Sequence, residues 1–135
     1  MARQETIAKH PNFEVAQALW GAVSDGDARA VRELLADDVV WTSVGRNPLS
    51  GVRNGPDQVL DYLAQVGESA DELFSSLVQL FVNDEGALVT YRVTASRGPK
   101  RLEMEFFLML GIRAGRVASA RMVAEDQYIN DEFWS

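Results

Sequence analysis

The sequence predicts an α+β domain in which a curved, mixed but mostly antiparallel sheet wraps around N-terminal helices. Three observations carry that expectation. Apolar residues recur at helical spacing early in the chain, they alternate with period two from Glu72 onward, and no helical stretch interrupts the later half.

The elements follow in order. In "NFEVAQALWGAVSDGDARAVRELLADD", residues Phe13, Ala16, Leu19, Trp20 and Val23 share a helical face before a break at Ser24, Asp25 and Gly26. Val31, Leu34 and Leu35 continue on a second helix, which Asp25 or Asp27 can cap. "VVWTSV" is β-branched and aromatic and predicts a strand, and "GRNPLSGVRNGP" predicts a loop. Asp57 is placed to cap a third helix whose buried face is Val59, Leu60, Leu63 and Val66. Four strands then follow, at 72–83, 87–96, 101–113 and 116–124, turning at "NDEG", "RGPK" and "RAG". A turn centred on Gly98 and Pro99 sets Tyr91 near Phe106 and Arg92 near Glu105, so apolar residues share the inner face and polar ones the outer.

Composition bounds the function. A chain of 135 residues fits one domain, read as a tail over 1–12 and a single domain over 13–135. With 47% hydrophobic and 24% charged residues, a sizeable core can form. The net charge of -7 and the scattered Lys and Arg argue against nucleic acid, which needs a dense cationic patch. Cysteine is absent, so disulfides and thiolate chemistry are excluded. The single histidine, His10, precedes Pro11 and reads as a tail residue without a catalytic role, which also removes a His-rich zinc site. No metal or organic cofactor is expected. No apolar run approaches the roughly 20 residues of a membrane span, and "MARQETIAKHPNF" lacks a signal peptide's apolar core. The expected location is therefore the cytoplasm, without a membrane partner.

The helical hairpin ending in "DGDARAVRELLADDVVW", the loop "GRNPLSG", the late meander and the closing "EDQYINDEFWS" resemble the SnoaL-like proteins of the nuclear-transport-factor-2-like superfamily. That superfamily also holds ketosteroid isomerases, limonene-epoxide hydrolases and scytalone dehydratases. The resemblance runs from about Phe13 to Trp134 and implies a cone-shaped α+β barrel with an apolar pocket between sheet and helices. It also implies a homodimer formed through the outer sheet face. Carried over position by position, it puts Thr42 where the isomerases have their base and many SnoaL-like chains a histidine. Leu19 and Phe106 or Phe107 stand at the isomerase oxyanion-hole positions, and Leu108 replaces a further histidine. The Asp-Arg-Asp set of the epoxide hydrolases falls around Val89, Tyr91 and Met122. Threonine can donate a hydrogen bond but has no usable pKa near neutrality.

Few polar groups are left to act. Strand parity turns Tyr91 inward, and Thr42 and Tyr91 are the candidate catalytic residues, with Arg46 at the expected mouth helping to polarise a carbonyl. The expected substrate wall adds Leu19, Trp20, Trp41, Asn47, Tyr62, Met104, Phe106, Leu108, Met122 and Tyr128, the last covering the pocket or packing under the tail. Asp37 and Asp38 read as exposed turn residues, and Glu103 and Glu105 as outer-face groups paired with Arg92 or used at a subunit interface. Phe107 and Met109 on that face support the homodimer. The first functional expectation is binding of an apolar polyketide- or terpenoid-like molecule, with cyclisation or isomerisation guided by shape. Two other readings stand beside it: a non-catalytic binding or accessory protein, and an epoxide hydrolase or dehydratase.

Overall fold

The computed structural model describes residues 9–135. The first helix, α1, spans Pro11–Asp25 and begins inside the stretch expected to be tail. Pro11 suits a helix start because its fixed φ is already helical and its missing N–H would have no partner there. His10 caps the helix: its Nδ1 accepts from the Asn12 backbone N–H at 3.1 Å, and its Nε2 meets Asp84 Oδ1 at 2.8 Å. The lone histidine is thus a structural cap. Residues 1–8 of the expected tail lie outside the described residues.

Gly26 ends α1 in the left-handed conformation, and the N–H groups of Gly26 and Asp27 return to the carbonyls of Val23 and Ala22. Asp27 then caps α2, Ala28–Leu34, by accepting from the Ala30 N–H. The third helix, α3, spans Gly55–Ser69 with Asn54 at its cap position. Asp57 does not cap it. The helix has already begun at Gly55 and Pro56, so Asp57 sits in the first turn, where it pairs with Arg32 of α2. The buried face of α3 is carried by Val59 and Tyr62, with Leu60, Leu63 and Val66 half-buried.

Among the described residues six strands form one sheet in the order β2-β1-β6-β5-β4-β3. They are β1 Leu35–Ser43, β2 Gly51–Asn54, β3 Glu72–Val82, β4 Gly86–Arg97, β5 Lys100–Arg113 and β6 Arg116–Ala124. Only β1 and β6 run parallel; every other pair is antiparallel. β2 lies inside the expected loop. Four residues rich in Gly and Asn show no alternation of their own, and it is pairing with Val40 to Ser43 that makes them a strand. The expected register of β4 and β5 is observed, with Tyr91 opposite Phe106 and Arg92 opposite Glu105. Arg92 forms its ion pair diagonally, to Glu103 at 2.9 Å. Register shifts in β3 near Leu77 and in β5 near Gly111 bend the sheet over the helices.

A short helix, α4, Gln127–Trp134, closes the chain under an Asp126 cap. Its C-terminal carbonyls are held from the β4–β5 turn: Arg97 donates to the Phe133 carbonyl and Lys100 to that of Glu132. The core sits between the concave sheet face and the helices, and Leu19, Val39, Val59, Leu102 and Val117 are fully buried in it. Each such side chain contributes about 1.5–3 kcal/mol. Among the described residues no helix is long and apolar enough to cross a membrane.

Candidate functional site: the cavity inside the cone

Strand parity builds most of the wall of a cavity of about 140 Å³. Trp41 and Ser43 enter it from β1, Val89 and Tyr91 from β4, Phe106, Leu108 and Leu110 from β5, and Met122 from β6. Helices supply the rest: Leu19 and Trp20 from α1, Tyr62 from α3, and Asn130 and Trp134 from α4. The solvent-facing members of the lining are Leu73, 37% exposed, and Ser75, both at the start of β3. Beside them stand half-buried Trp20, Val23, Leu63 and Val66. The opening therefore lies between the second halves of α1 and α3 and the start of the edge strand β3.

That geometry corrects several expectations. Thr42 faces away from the cavity, because alternation along β1 turns Trp41 and Ser43 inward and leaves Thr42 beside Val52 and Arg121 on the outer face. The first-strand hydroxyl inside the cone belongs to Ser43. Arg46 is exposed and does not line the cavity, since the loop turns its side chain outward while its backbone N–H is held by Asp131. Met104 is buried but lies one step nearer the β4–β5 turn than Phe106, the last wall residue of β5 on that side. Tyr128 neither covers the cavity nor packs under the tail; it is 90% exposed on the outer side of α4. The structure brings together Leu19, Trp20, Trp41, Asn47, Tyr62, Tyr91, Phe106, Leu108 and Met122.

Among the wall residues that the sequence reading does not include, Ser43, Asn130 and Trp134 carry polar groups. The signal for Ser43 was its period-two relation to Trp41, a large aromatic that marks the inner face. Asn130 and Trp134 share a face at the i,i+4 spacing of a helix.

The wall is mostly aromatic and aliphatic. Tyr91 packs between Trp20, with ring centroids 5.0 Å apart, and Phe106, at 5.7 Å and nearly parallel. These contacts fix the phenol, and burial, with Tyr62 nearby, holds its pKa well above the ordinary value. Tyr62 is raised too: burial pushes it up, while Ser43 and the charge of Arg53 offset part of the rise. Arg53 lies over the Tyr62 ring at 4.4 Å and donates to the Leu49 carbonyl. The Tyr62 hydroxyl contacts Met122 Sδ at 3.9 Å, a weak partner that leaves its capacity for another acceptor. Both phenols are neutral donors near physiological pH.

The loop after β1 is fastened to α4. Asp131 Oδ1 accepts from the Arg46 backbone N–H at 2.9 Å, Asn47 Nδ2 at 2.7 Å and Gln127 Nε2 at 2.9 Å. Burial raises the Asp131 pKa, but these bonds outweigh it and leave the carboxyl below its usual range. Gly45, at φ 125°, lets the loop backbone come this close, since a Cβ there would collide with Gln127 and Asp131.

Among the described residues, the lining contains no carboxylate, imidazole, ammonium or guanidinium group. Such a wall can hold a neutral molecule and donate hydrogen bonds to it. It offers no group of ordinary pKa to take a proton from carbon.

A sequence model of the SnoaL-like domain matches residues 16–120. An uncharacterized protein of Mycobacterium bovis is 25% identical over 126 residues, which cover 92% of this chain and 96% of that protein. Bal32a, from a soil-derived mobile gene cassette, superposes with a TM-score of 0.87 at 27% identity, over 93% of this chain and 97% of its own. TerC, co-crystallized with polyporic acid, superposes at 0.81 with 16% identity, over 92% of this chain and 98% of its own. At that identity the likeness is one of fold.

Proposed function

Because the chain belongs to the SnoaL-like domain family, whose model spans residues 16–120, we propose that its cone binds a compact, uncharged, mainly apolar organic molecule. In this reading it guides that molecule's ring closure or isomerisation by shape rather than by proton transfer. The observation that carries it is a wall of aromatic and aliphatic side chains with neutral phenols and without an ionised group. Holding a flexible chain in its reactive conformer contributes several kcal/mol, up to about 7–11 in favourable intramolecular cases, without a base. Tyr91 and Tyr62 would polarise a carbonyl as donors, and Ser43 takes the place expected for Thr42. The volume narrows the ligand: about 140 Å³ is close to the roughly 150 Å³ of an engineered cavity that takes up benzene. A single ring or a short branched terpenoid fits that space, and a four-ring polyketide does not.

The same wall favours a second reading, a binding protein without turnover. Calorimetry with carvone, a neutral monocyclic ketone, and with benzoate tests the shared premise. Carvone is expected to bind saturably with a negative heat-capacity change, and benzoate not to bind. Equal binding of the anion would remove the premise. Incubation with the acyclic aldehyde citronellal separates the two readings, since only the first expects cyclised product above background.

We further propose that two copies join through the outer sheet face, in the cytoplasm. Phe81, Leu88 and Met109 stand in register across β3, β4 and β5 on that face, with Phe81 53% exposed. Sedimentation of the protein carrying Phe81→Glu and Met109→Lys tests this: a dimer is expected to become a monomer, and an unchanged species would rule the face out.

A further inference from the structure

Two asparagines line the cavity, and their hydrogen bonding differs. Asn47 is occupied at both ends: Nδ2 donates to Asp131 at 2.7 Å and Oδ1 accepts from the Leu49 N–H at 2.8 Å. Asn130 is 3% exposed, yet only its oxygen is taken, by Trp134 Nε1 at 3.0 Å. An indole N–H can only donate, so the amide oxygen must face it and the NH2 group must point the other way. That NH2 group donates to nothing among the described residues. The buried side-chain atoms both sealed and unpartnered there are Trp41 Nε1 and Gln127 Oε1, so Asn130 Nδ2 retains open surface. For a residue this deeply buried in the cavity wall, that surface is cavity surface.

We propose that Asn130 contacts the bound ligand: its amide Nδ2 donates to an uncharged oxygen of that molecule, a carbonyl or ether, and Trp134 holds the amide in the donating orientation. The proposal rests on the cone being a binding cavity and adds the functional group its ligand must carry. Hydroxyls such as Ser43 and Tyr62 can turn to donate or accept, whereas the free end of Asn130 only donates. The ligand must therefore supply an acceptor at the α4 end. An anion fits this cavity poorly, because among the described residues its lining holds no ammonium or guanidinium group to pair with one. Ser43 lines the same cavity from β1, beside Tyr62.

Cyclohexanone and methylenecyclohexane are nearly identical in shape and differ in carrying an oxygen or a CH2 at one position. Titrating each into the 15N-labelled protein gives both affinities and the shift of the Asn130 side-chain NH2 resonances. The expected result is a preference for the ketone of about three- to tenfold, with the NH2 resonances moving for the ketone and little for the alkene. In Asn130→Leu the ketone-to-alkene affinity ratio, measured on the same variant, should fall to the part that the remaining donors Tyr62, Tyr91 and Ser43 sustain. In Trp134→Phe the ketone-to-alkene affinity ratio, measured on the same variant, should shrink and the Asn130 NH2 response to the ketone should weaken, whereas a merely structural role would lower both affinities and leave their ratio unchanged. Still NH2 resonances in the unmutated protein, or an undiminished preference in folded Asn130→Leu, would overturn the assignment and leave the cavity reading standing. Absence of binding by both molecules would overturn that reading and this proposal together.

Discussion

The loop over residues 45–50 and the closing helix α4 face the same end of the cavity and each carries an asparagine into it, but they use their polar groups in opposite ways. The loop's donors go to the protein. Arg46 and Asn47 give theirs to Asp131, and the Asn47 oxygen is taken by Leu49. The helix keeps one amide half free, because Trp134 takes the oxygen of Asn130 and leaves its nitrogen. Residue type alone does not make a binding group; the hydrogen-bond capacity left after folding does. The loop is thus a fastening and the helix a wall.

The strongest way to break this comparison is to unfasten the loop. Gly45→Ala imposes a side chain at φ 125° and drives a Cβ against Gln127 and Asp131. A cost of about 3 kcal/mol is expected, lowering Tm by roughly 10 °C. A melt within about 2 °C of the unmutated protein would mean that the loop is not clamped to α4. Asp131→Ala comes next. It leaves the donors of Arg46, Asn47 and Gln127 without their shared acceptor, and about 2 kcal/mol is expected to be lost in denaturant titration. A loss below about 0.5 kcal/mol would demote the clamp to a surface contact.

Acid sharpens the same point. The Asp131 pKa is lower in the folded chain than its ordinary value, so its contribution is complete above the unfolded carboxylate pKa near ~3.9 and fades as pH falls through the folded value. The stability difference between the unmutated protein and Asp131→Asn should hold steady from pH 7 to about pH 5 and close below about pH 4. A difference that widens in acid would reverse the sign assigned here.

How much of this was legible in the sequence depends on the range of the signal. α1, α2 and the β4–β5 register were readable because long periodic runs such as Val89 to Ala95 commit every other residue to one face. β2 was not, since Gly51 to Asn54 become a strand only through β1. α4 shows in the sequence only as a closing segment, because eight residues with interspersed acids carry a weak helical period. The clamp left no trace in the sequence, as Asp131 and Asn47 are distant in the chain and meet only after folding. Thr42 was misplaced for another reason: counting along a family resemblance can slip by one residue, and in a strand one residue changes the face. Trp41, a tryptophan 3% exposed, marks which face of β1 is inside.

The neighbouring pair Ser43 and Thr42 gives the smallest expected effect and the cleanest contrast of inside with outside. Ser43→Ala removes a hydroxyl beside Tyr62 within the cavity, so the Tyr62 phenol loses one of the influences that offset its burial and should ionise at still higher pH. Since that pKa is raised on folding, the stability linked to Tyr62 is complete below the unfolded value near ~10 and is lost only as pH climbs toward the folded value. Thr42→Val alters a side chain on the outer face and should leave stability within about 0.5 kcal/mol. It should also leave cyclohexanone binding and the tyrosine absorbance titration unchanged. A shift in either for Thr42→Val, with none for Ser43→Ala, would return Thr42 to the cavity and reverse the face assigned to β1.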